Sequence, residues 1–388
     1  MSIEVDILKR FRNFVLEVSF SVGVERLGVL GASGCGKSVV LRCIAGVMQP
    51  DSGRIVIGGR VVFDSKRRIN LPPQLRRTGL LFQQYALFPT MTVRENLEIV
   101  LGRVSRAERR RRVDEMSDKF RLGQFADQKP SQLSGGQQQR AAMARIFISL
   151  PEVIMLDEPL SALDSFLRVM VEAELVEELE SFGGTVLFVS HDRDEVYRIC
   201  ERMLVLQNGR IAALGTTADL FRNPVTLSSA RLTGVKNIAS AVAVGEYLAD
   251  VVDWGLRLCT NVKLPAGNFY IGIRAHHICE VLSAGGVNCF EFNVERRQSE
   301  PFRIREILTI ESGNNAAENN DAGINNAGIN DAGINVTKNT ESKKICATKI
   351  PLIRFISGSQ DPIFPQQKFS TKKHLRLPPE YLMILKED

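Results

Sequence analysis

Residues Gly31-Ala32-Ser33-Gly34-Cys35-Gly36-Lys37-Ser38 fit the pattern G-x-x-x-x-G-K-S in full. Each residue type suits the binding of phosphate. Gly31, Gly34 and Gly36 let the backbone curl, so that N–H groups from Ala32, Ser33 and Cys35 onward converge on an anion. Lys37 brings a cation to the outer phosphates, and the Ser38 hydroxyl can ligate Mg²⁺. The apolar run ERLGVLG (25–31) before the loop reads as a strand, and KSVVLRCIAG after it as a helix whose N-terminus adds partial positive charge. Val39, Val40, Leu41 and Ile44 are the buried face of that helix. Lys37 and the helix end both favour a thiolate at Cys35.

A second candidate site, this one acidic, ends the run VIMLDE (153–158), where four apolar residues lead into Asp157 and Glu158. A strand buried on both faces delivers such carboxylates to its carboxyl end, where open α/β sheets bind ligands. Asp157 is then placed to hold Mg²⁺, directly or through water, and Glu158 to orient and polarise an attacking water. Together the two motifs predict hydrolysis of ATP with Mg²⁺ as cofactor.

The elements that position these groups are visible along residues 1–230. TGLLFQ (78–83), TVLFVS (185–190) and MLVLQNG (203–209) add further buried-strand runs. GGQQQRAAMARIFISL and SFLRVMVEAELVEELE have helical spacing between them, so the class is α/β. Residues 90–150 hold a polar helical subdomain inserted into the sheet. Arg103, Arg106 and Arg109 to Arg112 are read as its solvated face. Glu172, Glu174, Glu177, Glu178 and Glu180 are read as an exposed acidic face of a later helix.

From 231 to 388 short strand candidates predict a small β-rich domain: LRLCTNV (256–262), FYIGIRA (269–275), CFEFNVE (289–295) and FRIREILTI (302–310). Into it falls 311–342, where an (N/D)-A-G-I-N unit recurs. That segment reads as a disordered insertion rather than a β-solenoid turn, because it offers too little apolar surface.

A chain of 388 residues suits two domains. With 44% hydrophobic and 24% charged residues it reads as ordinary globular protein, and a net charge of +6 does not demand nucleic acid. Cysteines at 35, 43, 200, 259, 279, 289 and 346 include no Cys-x-x-Cys pair, so neither a zinc spacing nor a disulfide framework is expected. His276-His277 is read as structural. The start lacks a signal-peptide core, and no apolar run approaches the roughly 18 residues of a membrane span. A membrane role then comes through a partner.

Leu133-Ser134-Gly135-Gly136-Gln137 resembles the signature motif of ABC transporter ATPases. The resemblance implies a P-loop ABC ATPase domain and further roles, residue by residue. Gln83 resembles the glutamine that senses Mg²⁺ and the attacking water, and His191 the switch histidine that contacts the γ-phosphate. Asp164, in SALD, resembles the D-loop aspartate, and Phe11 the ring that stacks on adenine, with Phe14 as competitor. Ser134, Gly135 and Gly136 would cover ATP held by a second copy, which implies a homodimer of cassettes. Integral-membrane permease subunits and, indirectly, a solute-binding protein are the implied partners, at the cytoplasmic face of the cell membrane.

The stretch GRVVFDSKRRINLPPQLRRTGLLFQQYALFP looks most like molybdate importer ATPases, with sulfate, polyamine and ferric iron importers as alternatives. The tail resembles an oligonucleotide-fold-like (OB-like, TOBE-like) regulatory domain. A soluble ABC ATPase acting on ribosomes or DNA would carry paired cassettes or a long coiled coil, and a P-loop kinase has no use for LSGGQ.

Deleting 311–342 is expected to leave the melting temperature nearly unchanged. A fall of several degrees, which about 1 kcal/mol causes in a domain of modest size, would show that the repeat completes the tail fold.

Overall fold

Strand runs that alternate apolar and polar residues and runs that are apolar throughout build different sheets here. The computed structural model describes residues 2–82, 85–102, 104–161, 163–281, 286–300, 303–310, 352–357 and 373–388, so Gln83 and the repeat 311–342 lie outside the described residues. The chain forms two units, Met1–Arg222 and Asn223–Asp388.

In the first unit, β1 (Ile3–Arg10) and β2 (Val15–Val22) alternate buried and exposed side chains and pair antiparallel from Ile3↔Val22 to Arg10↔Val15. That is the period of a strand with one face on a core. β3 (Arg26–Gly31) is apolar without alternation and runs through the Gly-rich loop into α1 (Lys37–Ala45). β4 (Ser52–Ile57), β5 (Arg60–Asp64) and β6 (Ile69–Asn70) complete an antiparallel sheet of order β2-β1-β4-β5-β6. This sheet is absent from the expected strand runs, although its alternation is plain in IEVDILKR and VLEVSFSV.

β7 (Thr78–Leu81), β8 (Val153–Asp157), β9 (Thr185–Ser190), β10 (Arg202–Gln207) and β11 (Arg210–Thr216) join β3 in a six-stranded sheet of order β11-β10-β3-β9-β8-β7. Its neighbours are parallel except for the edge strand β11. Every residue of β8 and β9 is buried, as strands covered on both faces require. One apolar cluster gathers side chains from both sheets and α1, among them Leu16, Leu27, Leu41, Ile55 and Met155.

Between β7 and β8 lie α2 (Val93–Glu98), α3 (Arg106–Lys119) and α4 (Gly135–Phe147), begun by the side-chain caps Thr92, Ser105 and Ser134. α5 (Ser165–Phe182) follows β8, α6 (Arg193–Ile199) follows β9, and α7 (Thr217–Arg222) ends the unit. Arg111 and Arg112 of α3 pair with Glu108 at 2.8 and 2.7 Å on the helix surface. The acidic face of α5 departs from expectation at Glu172, which is 8% exposed rather than solvated. The Arg198 guanidinium on α6 grips its carboxylate through Nε and Nη2, and that fork makes the burial tolerable.

Arg76 is 2% exposed. Its Nη1 donates to the carbonyls of Cys43 and Ile44 at 2.9 and 3.0 Å, Nε to Leu71 O at 2.8 Å, and Nη2 to Asn70 Oδ1 at 2.8 Å. The cation therefore satisfies the orphan carbonyls at the C-terminal, negative end of α1.

The second unit holds two antiparallel sheets of five strands. Leu256–Cys259, Asn268–Ile273, Cys289–Glu300 and Arg303–Ile310 realise the strand runs read from sequence. Two buried asparagines join strands by imitating backbone. Asn288 accepts from Cys259 N and donates to Cys259 O, both at 2.8 Å. Asn237 accepts from Ile353 N at 2.6 Å and donates to Ile353 O at 2.8 Å. His277 stacks on Tyr381 with ring centroids 4.0 Å apart.

Replacing Arg76 by Met should destabilise the first unit by about 3 kcal/mol or more, since several buried carbonyls lose their donor together. Urea denaturation measures this. A loss under about 1 kcal/mol would mean that other donors take over the end of α1.

Candidate nucleotide-binding site

The sheet register brings the chemistry-bearing residues to one edge. Leu30 of β3 lies opposite Ser190 of β9, and Val189 opposite Asp157 of β8. The next residues, Gly31, His191 and Glu158, therefore come at the carboxyl ends of adjacent parallel strands, within one residue of the same level. That edge is where open α/β sheets place ligands.

The Gly31–Ser38 loop is tightly built. Gly36 sits at φ 108°, and a Cβ there would meet the Phe14 ring at 2.9 Å. At Gly31 a Cβ would meet Leu206 O at 2.5 Å and Cys35 Sγ at 2.6 Å. Ala32, Ser33 and Gly34 are exposed, whereas Lys37 is 6% exposed and donates to the carbonyls of Gly31 at 2.8 Å and Ala32 at 3.0 Å. An ammonium held at the inner wall of such a loop suits contact with phosphate oxygens.

Cys35 departs from expectation. It is 6% exposed, and burial pushes its thiol pKa up, outweighing the opposing effects of Lys37 and the backbone N–H groups. The thiolate expected from the helix end is not the favoured form, because desolvation of a charged sulfur is the larger effect.

A cleft of about 520 Å³ opens beside the loop, lined by Asn13, Phe14, Ala32 to Cys35, Asn208 and Arg210 among others. Its size is that of a small-molecule site. Phe14 lines it. Phe11, the residue expected to stack on adenine, is absent from the lining and lies against Phe14 with centroids 6.0 Å apart, 39% exposed. Asn13, Gln207, Asn208 and Arg210 are lining residues that sequence reasoning missed. The one available signal was the Asn208-Gly209 hairpin dipeptide between β10 and β11.

The Ser38 hydroxyl donates to Asp157 Oδ1 at 2.9 Å. Asp157 is 4% exposed, and burial raises its pKa, with the Ser38 hydrogen bond and the charges of Arg42 and Lys37 opposing. Hydroxyl and carboxylate oxygens side by side form a hard donor set that fits Mg²⁺. Glu158 adopts left-handed backbone, φ 49°. Its N–H donates to Val189 O at 3.0 Å and its carbonyl accepts from Ser161 Oγ at 2.9 Å, which holds a conformation unusual for a side-chain-bearing residue. Its Oε2 lies 3.3 Å from His191 Nδ1, and the imidazole is exposed. Asp157 thus touches the loop through Ser38, and Glu158 and His191 face each other at the neighbouring strand ends.

Other anticipated residues lie apart. Ser134, Gly135 and Gly136 are absent from the cleft lining. Ser134 caps α4 reciprocally with Gln137, and a Cβ at Gly135 or Gly136 would meet Leu163 or Val171. Asp164 is exposed, its carbonyl accepting from Arg168 N at 2.9 Å. Just beyond Gln83, Tyr85 and Ala86 both take positive φ, and Arg145 Nη2 donates to Tyr85 O at 3.3 Å.

A family model described as ABC transporter matches residues 16–161. The chain is 43% identical over 216 residues to a spermidine/putrescine import ATP-binding protein of Oleidesulfovibrio alaskensis, covering 55% of this chain and 56% of that one. It is 40% identical over 235 residues to the spermidine/putrescine import ATP-binding protein of Bacillus cereus, covering 59% and 70%. It is 36% identical over 222 residues to a molybdenum import ATP-binding protein of Paramagnetospirillum magneticum, covering 57% and 61%. The chain thus spans little more than half the length of the first of these relatives. A bacterial ABC transporter cassette solved as a dimer is 31% identical, with a TM-score of 0.48, covering 56% of this chain and 99% of that one.

Brief labelling with a thiol reagent near neutral pH, followed by peptide mapping, should find the exposed Cys279 modified before Cys35. Cys35 in the first wave would show that the loop opens in solution.

Proposed function

This chain belongs to the ABC transporter ATP-binding family, and on that premise we propose that it hydrolyses ATP to drive solute import through membrane partners. The observation that carries the reading is the shared sheet edge, where Ser38 meets Asp157 at 2.9 Å and Glu158 meets His191 at 3.3 Å.

The loop Gly31–Ser38 would cradle the phosphates, with Lys37 exchanging its loop carbonyls for phosphate oxygens. Phe14, or Phe11 beside it, would stack on adenine. Ser38 and Asp157, with Gln83, would hold Mg²⁺, which when bound neutralises charge on the phosphates. Glu158 takes a proton from water as the water oxygen attacks the γ-phosphorus and the bond to the β-phosphate oxygen breaks, leaving ADP and phosphate. His191 contacts the γ-phosphate and is oriented by Glu158.

Because Ser134, Gly135 and Gly136 stand away from the cleft of their own chain, a second copy would supply them, with Asp164 at the same junction. This supports a homodimer of cassettes. Among the described residues no helix is long and apolar enough to cross a membrane, so permease subunits are the natural membrane partners, fed by a solute-binding protein. The chain would then sit at the cytoplasmic face as a peripheral subunit. The second unit, which begins at Asn223 rather than at the expected boundary near 230, is proposed as an OB-like regulatory domain.

For the solute, the stretch 59–89 favours molybdate or a related oxyanion. The relatives named for spermidine/putrescine import, at 40–43% identity, favour a polyamine as the second reading. Reconstitution with the co-purified permease and uptake of each solute would separate the two.

Glu158→Gln should leave ATP binding intact and lower hydrolysis by roughly 10²–10⁴-fold, the range for a lost general base. Light scattering of this variant at saturating ATP should detect dimers. Only monomer would count against the two-copy site.

A further inference from the structure

Two of the proposed working segments open directly into helices that are tied together by a charge pair. Ser161–Asp164 leads into α5, and His191 precedes α6. Glu172 on α5 is 8% exposed, and Arg198 on α6 holds both its oxygens, Nη2 to Oε2 at 2.9 Å. α6 spans only Arg193–Ile199, and a helix this short has no orientation of its own without tertiary contacts.

Shorter links continue the connection at the front of both helices. Arg168 Nη2 donates to Leu163 O at 3.2 Å, inside the Ser161–Asp164 segment. Glu195 is 4% exposed and accepts from Ser190 Oγ at 2.6 Å, while Asp192 N donates to the same hydroxyl at 2.9 Å, so the residues on both sides of His191 are fixed. The charge of Arg168 acts on Glu195 across the two helices.

We propose that Glu172 and Arg198 are positioning residues whose pairing sets the placement of His191 relative to the Ser161–Asp164 segment. The inference rests on the ATP-hydrolysing reading. The pair governs the hydrolytic step and not nucleotide binding, because the phosphate loop is anchored separately through Ser38, Asp157 and Arg76. A pair that served stability alone would be a weak choice, since desolvating the Glu172 carboxylate offsets much of its attraction to Arg198, whose side chain is itself half exposed.

The test is a cycle of E172Q, R198K and the double variant, on the full chain. These substitutions leave no unpaired carboxylate buried. E172Q is expected to lower kcat about 10-fold with KM within about 2-fold, in keeping with the sensitivity of rates to small misplacements. R198K keeps the charge but loses the fork, and should lower kcat about 3-fold. The double variant should match E172Q alone, because Arg198 acts only through Glu172.

Losses that multiply to about 30-fold in the double variant would overturn the proposal. So would a lowered melting temperature with kcat unchanged, measured well below that temperature. Should E172Q fold poorly, R198K read against wild type decides by its split between kcat and KM. A wild-type chain without ATPase activity sinks the hydrolytic reading and the clamp together. A hydrolysing wild type with multiplying losses sinks the clamp alone.

Discussion

The hydrogen bond from Ser38 to Asp157 ties the first turn of α1 to the end of a strand two places away in the sheet. Asp157 is nearly inaccessible, so its carboxylate depends on that hydroxyl and on the charges of Arg42 and Lys37 to offset its desolvation. At the other end of α1 a buried guanidinium takes up the carbonyls of Cys43 and Ile44. The helix behind the loop is thus fixed front and rear, and the loop inherits that fixity. Rigid placement matters here because anion binding by backbone N–H groups fails if the donors do not converge.

The same edge stores a strained residue. Glu158 keeps a left-handed backbone only because a strand carbonyl, a serine hydroxyl and the following turn all hold it. Such conformations persist where surrounding structure over-determines them. Local cost is accepted so that one carboxylate turns toward the imidazole while its neighbour faces α1.

The placement of the Gly31–Ser38 loop, of Asp157 and Glu158 and of His191 was legible in sequence because each stands in a short motif at the end of a buried strand, where chain direction alone settles placement. The antiparallel sheet was not anticipated, since its half-buried strands are polar at every other position and were outweighed by the fully apolar runs. Cys35 was misjudged because its sequence neighbours argue for a thiolate while burial, a tertiary property, argues against one. Glu172 looked solvated for a similar reason, its partner Arg198 standing on another helix. Whether Phe11 or Phe14 approaches the loop depends on how the β1–β2 turn folds, which two nearby phenylalanines do not reveal. Gln83 falls outside the described residues.

The asparagines that stitch the second unit carry a cost of a different kind. Asn288 and Asn237 each offer one donor and one acceptor to a single backbone position on another strand. Aspartate has the same shape but no donor when ionised, and it would bring a charge into a seam where both asparagines are under 4% exposed. In the genetic code every asparagine codon becomes an aspartate codon by one base change. The joints of this unit therefore sit one nucleotide away from failure, at positions that no catalytic argument would mark.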